Sequence, residues 1–251
     1  MAIQKGFLNL VGTLGDTTFA QTKDGFQART KTRLSAAQVK TSPAFARTRE
    51  NNTEFGRAGQ AGKLLRDAVS QLLDTADDPN TIGRLVKRMM QVIKSDTTSS
   101  RGKRNVMDGN LSVLNKFEFN VSAVMEKVVR VGQSSTINRV TGELTVNLPS
   151  FQPEFSFKAP AGATHYRLVS AGTELDFEQN IYKKDVKLGA TLPLDRTATV
   201  AGSIVHTLTP NSTLPLVQVF GAQFFQQVGP DMLPLLKGSA NVLSVINVSK
   251  V

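Results

Sequence analysis

Residues 42–67 read SPAFARTRENNTEFGRAGQAGKLLRD. Serine followed by proline opens a helix: Ser42 suits the N-cap, and Pro43 suits the first helical position, where its missing N–H costs nothing. Apolar residues continue through Phe45, Phe55, Leu64, Leu65, Ala68, Val69, Leu72 and Leu73. The NNTEFG segment is expected to interrupt this helix or restart it, with Thr53 as a second cap. Gly56, Gly59 and Gly62 stand three apart, with Ala58 and Ala61 between them. Each glycine costs ~1 kcal/mol of helix stability against alanine. Close approach of another backbone would offset that cost, so the strip reads as a packing surface. A phosphate-binding loop fits worse. Gly56 and Gly62 enclose five residues rather than four, and Leu64 stands where a hydroxyl should meet magnesium.

Upstream, residues 11–32 (VGTLGDTTFAQTKDGFQARTKT) predict a β-hairpin turning at Asp24-Gly25. A lone two-stranded hairpin is marginal in water, so this one needs a host. Arg29, Lys31 and Arg33 alternate on one face of its outgoing strand, where they blunt a sheet edge or contact an anion. Downstream, DDPNTIGRLVKRMMQVIKSD gives a cleaner helix. Asp78 caps it, Pro79 takes the first position, and Ile82, Leu85, Val86, Met89 and Ile93 recur at helical spacing. Residues 95–105, SDTTSSRGKRN, read as a linker.

After Asn105 the period shortens to two. KFEFNV, TGELTVNLPSF, HYRLVSAGTELDF, SIVHTL, LPLVQVFGAQFF and NVLSVINVSKV are short strand-like runs punctuated by glycine, proline and asparagine. Their number and spacing predict a β-sandwich. The expected fold is α+β, with a basic hairpin-and-helix module over 1–104 and an immunoglobulin-like antiparallel sandwich over 105–251.

Charge follows the same division. The net charge is +10, yet residues 1–104 carry 18 Lys+Arg against 9 Asp+Glu, so nearly all the excess lies there. Such asymmetry points to a basic module meeting an anionic partner, or to a solvated helical surface with a cationic bias. Arg84, Lys87, Arg88, Arg101, Lys103 and Arg104 are the candidate phosphate contacts. Recognition motifs are missing, and the chain has no tryptophan and two tyrosines, so stacking on bases is not expected. Phosphate contact without base readout remains open.

Catalytic chemistry is sparse. No cysteine is present, and His165 and His206 are the sole histidines, without metal-ligand spacing. Both histidines are expected to pack at strand ends. No nucleophile-elbow pattern occurs. Glu174, Asp176 and Glu178 fall on one strand face. That face is a solvated acidic edge, an acid–base pair, or a meeting point for a neighbour's basic half. No cofactor, metal or small-molecule substrate is expected. Apolar runs fall short of the ~18 residues a spanning helix needs, and a secretory signal is not expected.

The stretch RTRENNTEFGRAGQAGKLLR resembles a group of uncharacterised proteins encoded in Bacteroidetes genomes and related prophages. Arg47–Gly56 matches the RTREN-x-x-EFG core of that group. Ala28-Arg29-Thr30-Lys31 matches its AR-x-K-like strand, and Val146–Phe151 and Ala159–Tyr166 match its VN(I/L)PSF and APAGATH(F/Y) stretches. The chain is more distantly similar to phage-associated proteins that pair a basic hairpin with a helix. These resemblances imply a structural, virion-type subunit; with no secretory signal expected, it is expected to be made in the cytoplasm and placed in a particle or filament. Arg29, Lys31, Arg33, Arg47, Arg49, Gly56, Gly59 and Gly62 are the candidate contacts to further copies or other structural proteins. The competing expectation is a nucleic-acid-binding protein using its basic half.

Overall fold

The computed structural model describes residues 2–5, 9–30, 35–74, 76, 78–235 and 241–250. The chain divides into two compact units, Met1–Arg49 and Glu50–Val251.

The first unit holds strands β1 (Ala2–Ile3), β2 (Gly12–Leu14), β3 (Thr17–Thr22) and β4 (Gly25–Thr30), in the antiparallel order β1-β4-β3-β2. The expected hairpin is therefore part of a four-stranded sheet. Thr22 pairs with Gly25, which makes Lys23-Asp24 the central pair of the turn. Gly25 takes φ +102° just after it, so the glycine closes the turn from outside its centre. Register pairs Phe19 with Ala28, Gln21 with Phe26 and Leu14 with Thr17, which puts Leu14, Phe19, Phe26 and Ala28 on one face. Helix α1 (Ala36–Thr41) follows, closed by a capping box in which Ser35 and Gln38 bond reciprocally to each other's backbone N–H.

Helix α2 (Ala46–Ala68) runs unbroken through NNTEFG, so Thr53 caps nothing; Ser42 precedes a short 3-10 turn, Pro43–Phe45, that leads into it. The short α3 (Ser70–Leu73) leads to α4 (Thr81–Lys94), which starts later than Pro79 would have it. Leu85, Met89, Val92 and Ile93 form its buried stripe, while Ile82 faces out.

Among the described residues nine further strands follow: β5 (Ser134–Asn138), β6 (Glu143–Leu148), β7 (His165–Asp176), β8 (Ile181–Leu188), β9 (Leu192–Pro193), β10 (Gly202–Thr207), β11 (Leu216–Val228), β12 (Asp231–Pro234) and β13 (Val242–Ser249). A three-stranded sheet runs β10-β6-β5. A six-stranded sheet runs β12-β11-β7-β8, with β13 also on β11 and β9 on β7. Every pairing is antiparallel. The α+β class is as read from the sequence.

The six-stranded sheet is covered on both faces. Val169, Ala171, Leu175, Val217 and Val219 join one core with Ala58, Leu65, Leu85 and Met89 of the helices. Tyr166, Phe220, Ala222 and Phe224, at the alternate positions, join another with Val146 of the three-stranded sheet. This explains why β7 and β11 are buried almost without interruption: a strand sealed on both sides loses its polar alternation. The helices thus share a core with the sheet, and the expected division at 104/105 falls inside one compact unit. Residues 95–105 are no loose linker either. Asp96 accepts N–H bonds from Thr98, Ser99 and Asn105.

Candidate functional site

Glu54 of α2 is fully buried and sits in a bidentate bond with Arg104: Nε donates to Oε1 and Nη2 to Oε2, both at 2.8 Å. Gly102 N–H adds a third bond at 2.7 Å. The Arg104 bonds hold the Glu54 carboxyl below its usual range against the opposing cost of burial. Beside it, Arg57 donates to the carbonyls of Gly102 and Arg104. Burial pushes the Asp96 carboxyl up, but the bonds from Ser99, Thr98 and Asn105 outweigh it and leave the group strongly acidic. Arg101 leans on Glu50 and Asn51. This cluster clamps the loop onto α2, so Arg101 and Arg104 are engaged rather than offered to phosphate.

A different segment carries the open surface. Lys116 takes φ +61°, a left-handed conformation that costs a non-glycine residue on the order of 1 kcal/mol. Its N–H donates to Val245 O at 2.8 Å, and Phe119 N–H donates to Leu243 O at 2.9 Å. KFEFNV, expected as a strand, is thereby reduced to a single bridge between Glu118 and Ser244. Lys116 and Glu118 line two pockets at once.

One pocket, of about 420 Å³, is lined by Arg84, Lys87, Arg88 and Gln91 of α4 with Lys116, Phe117, Glu118 and Val121. Three of the six candidate phosphate contacts, Arg84, Lys87 and Arg88, meet here because four residues make roughly one helical turn. Arg84 is the fixed member. It pairs with Asp78, donates to the carbonyls of Glu118 and Phe119, and lies 5.2 Å over the Phe117 ring. Its Nε is buried with no hydrogen-bond partner. Lys87 and Arg88 are exposed, and Arg88 reaches Gln91.

The second pocket, of about 330 Å³, has Val124, Met125, Val245 and Ile246 among its walls. Glu118 Oε1 accepts the Met125 N–H at 3.0 Å, whereas Oε2 is buried with no hydrogen-bond partner. Burial pushes the Glu118 carboxyl up to about 7.

Comparison with protein-family models, curated proteins and solved structures found no match.

Between the sheets lies a closed polar cluster. His206 Nε2 is 2.8 Å from Ser170 Oγ, and His206 Nδ1 is 3.9 Å from Asp185 Oδ2. The trio has the composition of a nucleophile triad, but Ser170 Oγ also lies 2.7 Å from Val219 O, which competes for its hydroxyl hydrogen, and His206 Nδ1 is buried with no hydrogen-bond partner, so Asp185 does not orient the ring as a triad carboxylate would. His206 and Ser170 are wholly buried, and burial holds the imidazole below its usual range despite Asp185. His206 thus packs one residue from the end of β10, and His165, at the start of β7, meets Thr164 Oγ1, so both sit at strand ends as expected.

Glu174 and Asp176 are buried as well, which corrects the reading of a solvated acidic edge. Glu174 accepts from Ser212 Oγ at 2.6 Å, and Asp176 caps a turn through the N–H groups of Glu178 and Gln179. Among the described residues no group of three or more His, Cys, Asp or Glu side chains could hold a metal ion. None of their helices is long and apolar enough to cross a membrane.

The candidate assembly residues scatter. Lys31 and Arg33 lie outside the described residues, Arg29 and Arg47 are exposed, and Arg49 donates to Val39 O and Ser42 O. Gly62 is buried against Leu85 and Val86, so it serves packing inside the chain, while Gly56 and Gly59 face open space. Lys103 is exposed. Glu118 and Lys116 were missed, since nothing in KFEFNV announces a left-handed lysine.

Proposed function

We propose that this chain is a non-enzymatic building block of a larger assembly, joined to its neighbours through the first compact unit. One observation carries the reading: among the described residues of Met1–Arg49, none is buried. Ordering a residue costs about 1–2 kcal/mol of backbone entropy, and a Phe or Leu returns about 1.5–3 kcal/mol only when fully buried. The sheet has an apolar face in Leu14, Phe19, Phe26 and Ala28, yet Leu14 is 73% exposed and neighbouring Val11 69%. A partner that covers this face supplies the missing burial. The resemblance to prophage-encoded proteins agrees with a virion-type part or a filament subunit by analogy. Residues 105–251 are further proposed to form an immunoglobulin-like sandwich, supported by two antiparallel sheets that share an apolar core.

Light scattering on the eluted full-length chain tests the proposal. Defined oligomers, lost in Leu14→Ser and Phe19→Ser, are expected. A stable monomer at high concentration refutes it.

A second reading, phosphate contact with nucleic acid, is favoured by the exposed Lys87 and Arg88, which line one pocket beside the carboxylate-paired Arg84 and Lys116. It requires binding that weakens steeply with salt and that falls in Lys87→Ala and Arg88→Ala. A chain not retained on heparin at low salt excludes it.

A further inference from the structure

We propose that the pocket walled by Val124, Met125, Val245 and Ile246 binds a primary ammonium group on a short aliphatic stem, with Glu118 as its counter-ion. The walls and the carboxyl together define the ligand. At about 330 Å³ the space falls at the lower end of small-molecule sites. A purely apolar guest would leave Glu118 Oε2 without a partner, as it is now, and a buried unpaired oxygen costs about 1–3 kcal/mol. An anion would meet both Glu118 and Glu126 in the lining. An ammonium supplies the missing donors, and its methylenes match the walls.

The one lysine in the lining leaves this role open. Lys116 Nζ is held by Glu126 Oε1 at 2.7 Å. The left-handed turn at Lys116 sets the backbone beside Glu118 while its side chain goes to Glu126. The Met125 N–H, the Ser244 hydroxyl and Arg84 of α4 favour the ionised form of Glu118, and Glu126 disfavours it. Burial dominates and keeps the carboxyl protonated to about pH 7. An arriving ammonium stabilises the carboxylate, so binding near neutral pH releases the Glu118 proton to buffer. Apolar filling of the same space releases none.

Calorimetric titration of the full-length chain with n-butylammonium, and in parallel with n-butanol, tests this. The two probes share a body and differ in charge. Butylammonium is expected to bind at least about tenfold more tightly, a difference of ~1.4 kcal/mol, with proton release measured in two buffers of different ionisation heat. Glu118→Gln should abolish both the preference and the release. Ile246→Phe, which fills the space without touching the carboxyl, should abolish binding of both probes; melting curves show whether each variant is folded. A blocked lysine, Nα-acetyl-lysine N-methylamide, separates the sources. Tighter binding than butylammonium assigns the site to a lysine of a partner, and weaker binding assigns it to a free amine. Equal affinity for butanol and butylammonium, unchanged binding in Glu118→Gln, or no binding of either amine by about 10 mM overturns the proposal.

Discussion

Replacing Glu54 with alanine removes the acceptor from three hydrogen bonds at a fully buried position. Arg104, whose side chain is 20% exposed, is left with its charge half-sequestered and no carboxylate. Breaking one partner out of a buried pair costs about 3–5 kcal/mol. For a unit of this length each kcal/mol moves the melting temperature by about 2–4 °C, so Glu54→Ala should melt about 6–20 °C lower. Arg104→Met should lose a comparable amount, because Glu54 would keep only the Gly102 N–H. The double variant Glu54→Leu/Arg104→Met should lose much less than the two single losses added together, since neither charge remains to be buried. Urea unfolding followed by circular dichroism gives all three free energies. A single-variant loss below about 1 kcal/mol, or simple additivity, would falsify the view that this pair clamps the loop. Raising the salt should change little, because the pair is shielded from solvent ions.

Glu118 and His206 make opposite predictions with pH. Folding raises the Glu118 pKa from 4.5 to about 7, so the folded state binds more protons and stability drops as pH climbs from 4.5 to 7, by about 3 kcal/mol. Glu118→Gln should flatten that decline in melting temperature. His206 is held neutral by burial, so its contribution is present above pH 6.5 and fades as pH falls below it; His206→Phe should reduce the acid sensitivity. Gly109→Ala should be severely destabilising in urea, because its Cβ would overlap the Val92 carbonyl. Gly59→Ala meets open space in mid-helix and should stabilise α2 by up to ~1 kcal/mol. If the exposed glycine strip is a contact to another copy, the same variant weakens association in light scattering.

The parts of the fold that could be read from residues alone were those set by local geometry. The stripe of α4 and the paired strands around Asp24 come from spacing and turn chemistry. Even there the turn lay one residue earlier than Asp24-Gly25, because the glycine takes positive φ just outside the turn's centre. The capping box at Ser35 and Gln38 is local too, a serine with glutamine three residues on. Thr53 looked like a cap, but the helix on either side outweighs one good capping residue. What lay beyond reach was long-range. An amphipathic stripe says that a helix needs an apolar neighbour without saying which, so the packing of α4 on β7 and β11 was invisible. The site around Lys116 joins residues from α4, α5 (Met125–Val128) and β13, from Arg84 to Ile246, and its decisive feature is one backbone angle.

The central strand β11 has consequences for the newly made chain. It carries a long apolar run and lies between β7, synthesised earlier, and β13, synthesised later. Until residues 242–249 clear the ribosome, one side of β11 has an open hydrogen-bonding edge. The helices and early strands can collapse before then, but they cannot seal it. Exposed edges of this kind recruit other chains. Holdase chaperones that shield β11 until β13 pairs with it would therefore govern how much of this protein reaches its native form.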